Sequence, residues 1–217
     1  MRMLFDDDEA RLAGLKELVR PDSGDRSRRM AERFTDRAVE KGLGDVTYGF
    51  AESPFGELLV ALTAQGVVKL DYPDRDFDEE LEMIAARLSP RVLFSPKATD
   101  TVRRELGEYF EGKRRDFDVP VDLSLSRGFA RKVLSATARI PFGSLSTYRE
   151  VAAEAGNIKA TRAAGNALGS NPIPIVVPCH RVVRTGGGLG GYTGGLDRKR
   201  ALLRLEGALA QEDSSRA

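Results

Sequence analysis

The 217-residue sequence predicts a mixed α/β (α+β) fold, in which a small antiparallel-sheet N-terminal half packs on a mostly helical C-terminal half with a helix-turn-helix. Three observations carry this expectation. Hydrophobic spacing switches to the two-residue period of strands at Asp45. A capping-box spacing, Thr147-Tyr-Arg-Glu150, opens a pair of short helices in the second half. Charge is unevenly spread: Arg127 to Gly207 holds 13 Lys/Arg against 4 Asp/Glu, although the whole chain is nearly neutral at 34 against 33. A basic segment on a neutral chain suits contact with a polyanion.

Residues 1–44 read as a charged helical extension of unknown role, with 10 Lys/Arg and 10 Asp/Glu. Leu12, Leu15, Leu18 and Val19 make one amphipathic stripe, and Met30, Phe34 and Ala38 a second. The link from Pro21 to Asp25 is turn-like. Residues 45–115 read as an α/β half. Three β-rich runs, from Val46, Leu58 and Val67, are separated by turn residues as in a meander, and helical patterns follow at about 77–88 and 97–111.

Residues 116–207 read as the helical half. A helix runs from about Ser126 to Ala138 and is broken at Pro141-Phe-Gly143. Helices from Tyr148 to about Gly156 and from Lys159 to Gly169 then form the helix-turn-helix. In the second of these, Ala160, Ala163, Ala164 and Ala167 share a face with Gly165 beside them. Such a face packs closely on a neighbouring helix or enters a minor groove only about 6 Å wide, and Arg162 projects beside it. Asp197 is expected to cap a last helix, Arg198 to Glu206. The tail, 208–217, reads as disordered.

Composition excludes several classes. No apolar run approaches the roughly 20 residues of a membrane span, and the acidic start, MRMLFDDDEARL, lacks the apolar core of a signal peptide. A cytoplasmic location is expected. A single cysteine excludes an internal disulfide, and one cysteine with one histidine argues against a zinc site. Gly186, Gly188 and Gly191 match GxGxxG on paper, but no helix opens at the third glycine, so nucleotide binding is set aside.

The chemistry concentrates in Asn171-Pro-Ile-Pro-Ile-Val-Val-Pro-Cys-His-Arg-Val-Val183. A strand-like apolar run, Ile173 to Val177, ends at Pro178, and the lone cysteine and lone histidine follow side by side. A free cysteine is most often a small buried hydrophobe. Here His180, Arg181 and the basic surroundings favour a thiolate. Neighbours on a strand face opposite ways, so contact between Cys179 and His180 needs a bend or a bridging water. The glycine-rich segment Thr185–Gly195 reads as a flexible loop that closes its backbone over a ligand, with Tyr192 inside it.

Pro178-Cys-His-Arg181 followed by Val182-Val183, with Asn171-Pro172 and the helix pair before it, resembles the O6-alkylguanine-DNA alkyltransferase family. The likeness covers about 45–207 and is strongest over 139–207. It implies DNA repair by direct, irreversible, single-turnover transfer of an alkyl group from O6-alkylguanine in double-stranded DNA, with O4-alkylthymine left open as a second lesion. It also implies base flipping, a monomer and no cofactor. Residue by residue, it makes Cys179 the alkyl acceptor, His180 a base acting through a water, and Glu206 the group orienting His180. It places Tyr148 beside the departing base, Arg162 in the gap left by the flipped nucleotide and Asn171 as brace of the active-site turn. Ala160, Ala163 and Ala164 would meet DNA with Arg162 and Tyr148, and Gly190, Tyr192, Thr193 and Val182 would line the base pocket. Some family members carry zinc in the N-terminal half; this chain lacks the ligands. A lesion-binding relative without transfer activity, a transcriptional regulator and a cysteine hydrolase are the competing classes.

Overall fold

Runs of β-branched and aliphatic residues assemble one four-stranded sheet. β1 (Val46–Ala51), β2 (Leu58–Thr63) and β3 (Gly66–Asp71) form the expected antiparallel meander, in register from Val46↔Thr63 to Ala51↔Leu58. The computed structural model describes residues 30, 33–39, 41–72 and 74–210. The sheet is not wholly antiparallel. β4 (Val92–Phe94), too short to stand out in the sequence, pairs parallel to β1 and gives the order β3-β2-β1-β4.

Two helices flank the sheet. α1 (Phe77–Arg87) is capped by Asp76, whose carboxylate accepts the backbone N–H of Asp78 and Glu79; such a cap contributes about 1 kcal/mol. α2 (Pro96–Phe110) carries Val102, Leu106 and Tyr109 on its buried stripe and packs on β1 and β2. The outer edge of β3 is covered by the crossing into the second half. Val67 donates to Pro120 O at 2.9 Å, and Asp122 donates to Val67 O at 2.8 Å. This approach requires glycine at position 66, where a Cβ would lie 2.1 Å from Pro120 O. The edge is thereby closed to further pairing.

The helical half consists of α3 (Gly128–Thr137), α4 (Tyr148–Glu154), α5 (Thr161–Gly169) and α6 (Leu196–Leu205). Thr147 and Glu150 form the complete capping box at α4. α3 packs on both helices of the α4–α5 pair. One apolar core joins the two halves: Leu58, Leu70 and Leu106 from the first share it with Leu134, Ile173 and Leu202 from the second. In the helical half, a two-residue parallel ladder pairs β5 (Ser146–Thr147) with β6 (Val182–Val183).

Several expectations change. The Leu12–Val19 stripe and residues 211–217 lie outside the described residues. Residues 33–39 are helical, but only Ala38 of the second stripe is buried; Met30 and Phe34 are 74% and 76% exposed. The second helix of the pair starts at Thr161, two residues later than expected. Asp197 does not cap the last helix. Gly195 occupies that position with no side-chain cap, while Asp197 sits in the first turn, 2.9 Å from Arg200. The strand expected over Ile173–Val177 is a buried turn.

Candidate active site

Prolines decide the turn. Pro172, Pro174 and Pro178 have no N–H to give a ladder, so this apolar run folds on itself. Val177 donates to Ile173 O at 2.9 Å and Val176 to Pro174 O at 3.0 Å. Asn171 closes the remainder: Oδ1 accepts Ile173 N–H at 3.0 Å, and Nδ2 donates to Val177 O at 2.8 Å. Nδ2 also lies 3.1 Å from Cys179 Sγ. Ile175 takes φ +74°, a conformation that costs a β-branched residue about 1–3 kcal/mol and persists only where surrounding contacts over-determine it. Leu70 of β3 anchors the turn by donating to Pro172 O at 2.8 Å. Cys179–Arg181 then make one 3-10 turn that leads into β6. This turn supplies the bend expected between Cys179 and His180.

Behind the cysteine, Glu206 gathers donors at the end of α6. Its Oε1 is 2.8 Å from His180 Nε2, 2.8 Å from the Tyr109 hydroxyl and 2.9 Å from Arg181 Nη2. Oε2 accepts Arg181 Nε at 2.8 Å and Gly143 N–H at 3.3 Å. Burial opposes charge on this carboxyl, but the hydrogen bonds from His180 and Arg181 outweigh it and hold the group at about 2. An ionised carboxylate only accepts, so His180 Nε2 carries the hydrogen and Nδ1 presents a lone pair. Nδ1 is buried and has no hydrogen-bond partner among the described residues. Burial drives His180 below its ordinary value despite the opposing Glu206.

The resting sulfur is a thiol. Burial pushes Cys179 up to about 11, while the hydrogen bond from Asn171 acts in the opposite sense. The expectation that basic surroundings favour thiolate is corrected here: Lys199 does pull the thiol down, but burial outweighs it. Arg181 is engaged by Glu206 and by Ile140 O at 2.5 Å. Lys199, fully buried, directs its ammonium to the carbonyls of Val182, Leu189 and Gly191. Burial holds Lys199 down at about 8, against the pull of Cys179.

Cys179 opens into a pocket of about 440 Å³. Tyr148, Tyr192 and Thr193 line it together with Arg162 and Asn166 of α5. The glycine-rich loop over the pocket uses positive φ at Gly186, Gly187, Gly190 and Gly195. It is held by Lys199, by Thr193 Oγ1 donating to Gly169 O at 2.6 Å, by Tyr148 donating to Gly191 O at 3.3 Å, and by further contacts at Tyr192 and Gly194.

The structure thus brings together Cys179, His180, Glu206, Tyr148, Asn171, Arg162, Tyr192 and Thr193. Other expected residues fall elsewhere. Ala164 is fully buried against the neighbouring helices and is corrected as a DNA-contacting residue, whereas Arg162 and Ala163 are exposed on the outward face of α5. Ala160 is half-buried at the N-cap. Val182 is fully buried in β6 and absent from the pocket wall, because its carbonyl faces Lys199 and its backbone pairs with β5. Gly190 backs Tyr148 instead of the cavity: a Cβ there would lie 2.5 Å from the tyrosine oxygen.

Comparison with known proteins identifies this arrangement. A methylated-DNA–protein-cysteine methyltransferase of Mycobacterium bovis is 38% identical over 168 residues, covering 77% of this chain and 96% of the relative. The chain belongs to the 6-O-methylguanine DNA methyltransferase family. The family's ribonuclease-like domain matches residues 46–123, and its DNA-binding domain matches residues 128–208. Within the family, the crystal structure of the Mycobacterium tuberculosis O6-methylguanine methyltransferase aligns with TM-score 0.64 and 37% identity, over 77% of this chain and 96% of that one. The Mycobacterium tuberculosis OGT in complex with DNA aligns with TM-score 0.63 and 38% identity, over 74% and 92%.

Sequence reading missed four members of this alkyltransferase site. Lys199 lies on the buried face of α6 with Leu202 and Leu203, and a lysine at that spacing within an apolar stripe was a readable signal. Tyr109 likewise ends the buried stripe of α2. Arg181 was read as a source of positive potential at Cys179, whereas it pairs with Glu206. Tyr72 had no local signal.

Proposed function

We propose that this protein repairs double-stranded DNA by moving the alkyl group of O6-alkylguanine onto Sγ of Cys179, one group per molecule. The observation that carries the reading is a cysteine at the floor of an open pocket, backed by the His180–Glu206 pair and flanked by exposed Arg162. The names of the curated relatives support it.

A stacked base cannot present O6 to this sulfur, so the nucleotide must leave the helix, at a cost of a few kcal/mol. Arg162, on the outward face of α5, fills the space it leaves. The base enters between Tyr148, Tyr192 and Thr193. The thiol proton passes through a water to Nδ1 of His180, and Glu206 stabilises the imidazolium. The Sγ–carbon bond forms as the carbon–O6 bond breaks, and its electron pair stays on guanine, which takes up a proton beside the Tyr148 hydroxyl. The thioether product has no ordinary cellular reductant, so the cysteine is consumed. On this reading the protein acts as a monomer and needs no cofactor.

The test is intact mass after incubation with duplex DNA containing one O6-methylguanine. The protein gains one methyl group, on the peptide holding Cys179, and is then inert. Cys179→Ser binds the same DNA and gains nothing. Repeated turnover, or methylation at another residue, rules the mechanism out.

A further inference from the structure

The alkyl-transfer reading places the working residues on the second half of the chain, yet one wall of the pocket is held from the first. Tyr72 follows β3 and is 3% exposed. Its hydroxyl lies 2.7 Å from that of Tyr192, across 120 residues of sequence. The Tyr72 ring is fixed on both sides. The Arg198 guanidinium sits over it at 4.4 Å from the ring centre, and Phe55 meets it edge-on at 6.0 Å. Arg198 is itself oriented by Asp74 at 2.7 Å and by Gly194 O at 3.2 Å. Tyr192 lines the pocket beside Cys179 and stands perpendicular to the His180 ring, with centroids 6.4 Å apart. Gly194 makes room for the pair: a Cβ there would fall 2.6 Å from Tyr72 and 2.8 Å from Tyr192.

We propose that Tyr72 is a positioning residue for alkyl transfer, its hydroxyl holding Tyr192 at the orientation that seats the flipped base over Cys179 Sγ. The inference rests on the functional reading above. Among the described residues the Tyr72 hydroxyl is the hydrogen-bond partner of the Tyr192 side chain, so the direction of that ring depends on it. Tyr72 touches neither DNA nor sulfur; it acts through Tyr192. A positioning contact of this kind bears on the chemical step more than on DNA affinity, because affinity is set mainly by phosphate contacts elsewhere.

The experiment is single-turnover methyl transfer from duplex O6-methylguanine DNA, with maximal rate and half-saturating DNA concentration measured separately. Tyr72→Phe keeps the ring and removes the hydroxyl, and its maximal rate falls about 3- to 10-fold, the loss expected for one buried neutral hydrogen bond. Half-saturation stays within about twofold of wild type. Tyr192→Phe shows a loss of similar size, and the double variant loses no more than either single one, since the two act through a shared contact. An unchanged rate in Tyr72→Phe, or additive losses in the double variant, overturns the inference and leaves the functional reading intact. A wild-type protein that takes up no methyl group overturns both.

Discussion

Two neighbouring segments wall the same pocket and are built on opposite lines. Every residue from Asn171 to Val183 is buried, and the turn is closed by Asn171 and by its own backbone. The following segment, 184–188, is exposed throughout, with Gly186 and Gly187 in the left-handed region. The nucleophile therefore sits on an inflexible mount, while the base side is a tethered flap. Reactivity needs the sulfur at a set distance, and admission of a base needs movement; the chain assigns the two demands to adjacent stretches.

The comparison is tested most severely at Asn171. Asn171→Ala leaves the buried Ile173 N–H without its partner and removes one of the two donors to Val177 O, which keeps Cys179 N–H at 2.8 Å; a buried unsatisfied group costs about 1–3 kcal/mol. Chemical denaturation is expected to show a loss of about 3 kcal/mol; a loss under about 1 kcal/mol would show that the turn holds itself without the asparagine.

Glu206→Gln is next, and it acts on chemistry. The maximal transfer rate falls about 100-fold, in the range of a general base deprived of its orienting charge, with DNA affinity retained. The wild-type rate declines in acid as His180 takes up a proton, below the ordinary imidazole range because burial disfavours its charged form. Stability has a separate window. Glu206 is depressed to about 2 from an ordinary 4.5, so its contribution is present above the unfolded value and is lost as pH falls toward 2. An acid limb of the stability profile unchanged in Glu206→Gln contradicts the assignment.

Lys199→Met addresses the flap. With the ammonium gone from Leu189 O and Gly191 O, the loop opens more often. Limited proteolysis within 184–195 accelerates, and the transfer rate drops about 3- to 10-fold. Equal protease resistance in the variant and wild type would mean that the loop is ordered by its glycine turns alone. The smallest effect is at Gly187, where a Cβ meets nothing within 4 Å and only φ +90° is at stake. Gly187→Ala costs about 1–2 kcal/mol of stability and leaves the transfer rate unchanged. A large kinetic loss there would mean that the tip of the flap touches the substrate.

Much of this contrast was legible in the chain, and the exceptions have a common cause. The capping box at Thr147 and the meander from Val46 follow local rules of spacing and matched the structure. Ile173–Val177 was misread because an apolar run bounded by prolines suits a buried strand and a buried turn equally, and backbone pairing decides between them. Contacts between distant segments left no periodic trace. The Tyr109–Glu206 bond spans 97 residues, and the strand at Val92 exists only because β1 offers it an edge. The site's family motif was readable, and Lys199 and Tyr109 lie on apolar stripes that mark them as buried, whereas the contact from Tyr72 becomes visible only when the chain is folded.

The ladder between Ser146–Thr147 and Val182–Val183 has a geometric consequence. α4, which opens the helix pair, begins one residue beyond it, and the cysteine lies three residues before it. Four residues therefore act as a gauge block between the surface proposed to rest on the double helix and the atom that must be reached. How far a nucleotide has to swing is set by that short spacer, independently of how the remaining mass of the protein is arranged around it.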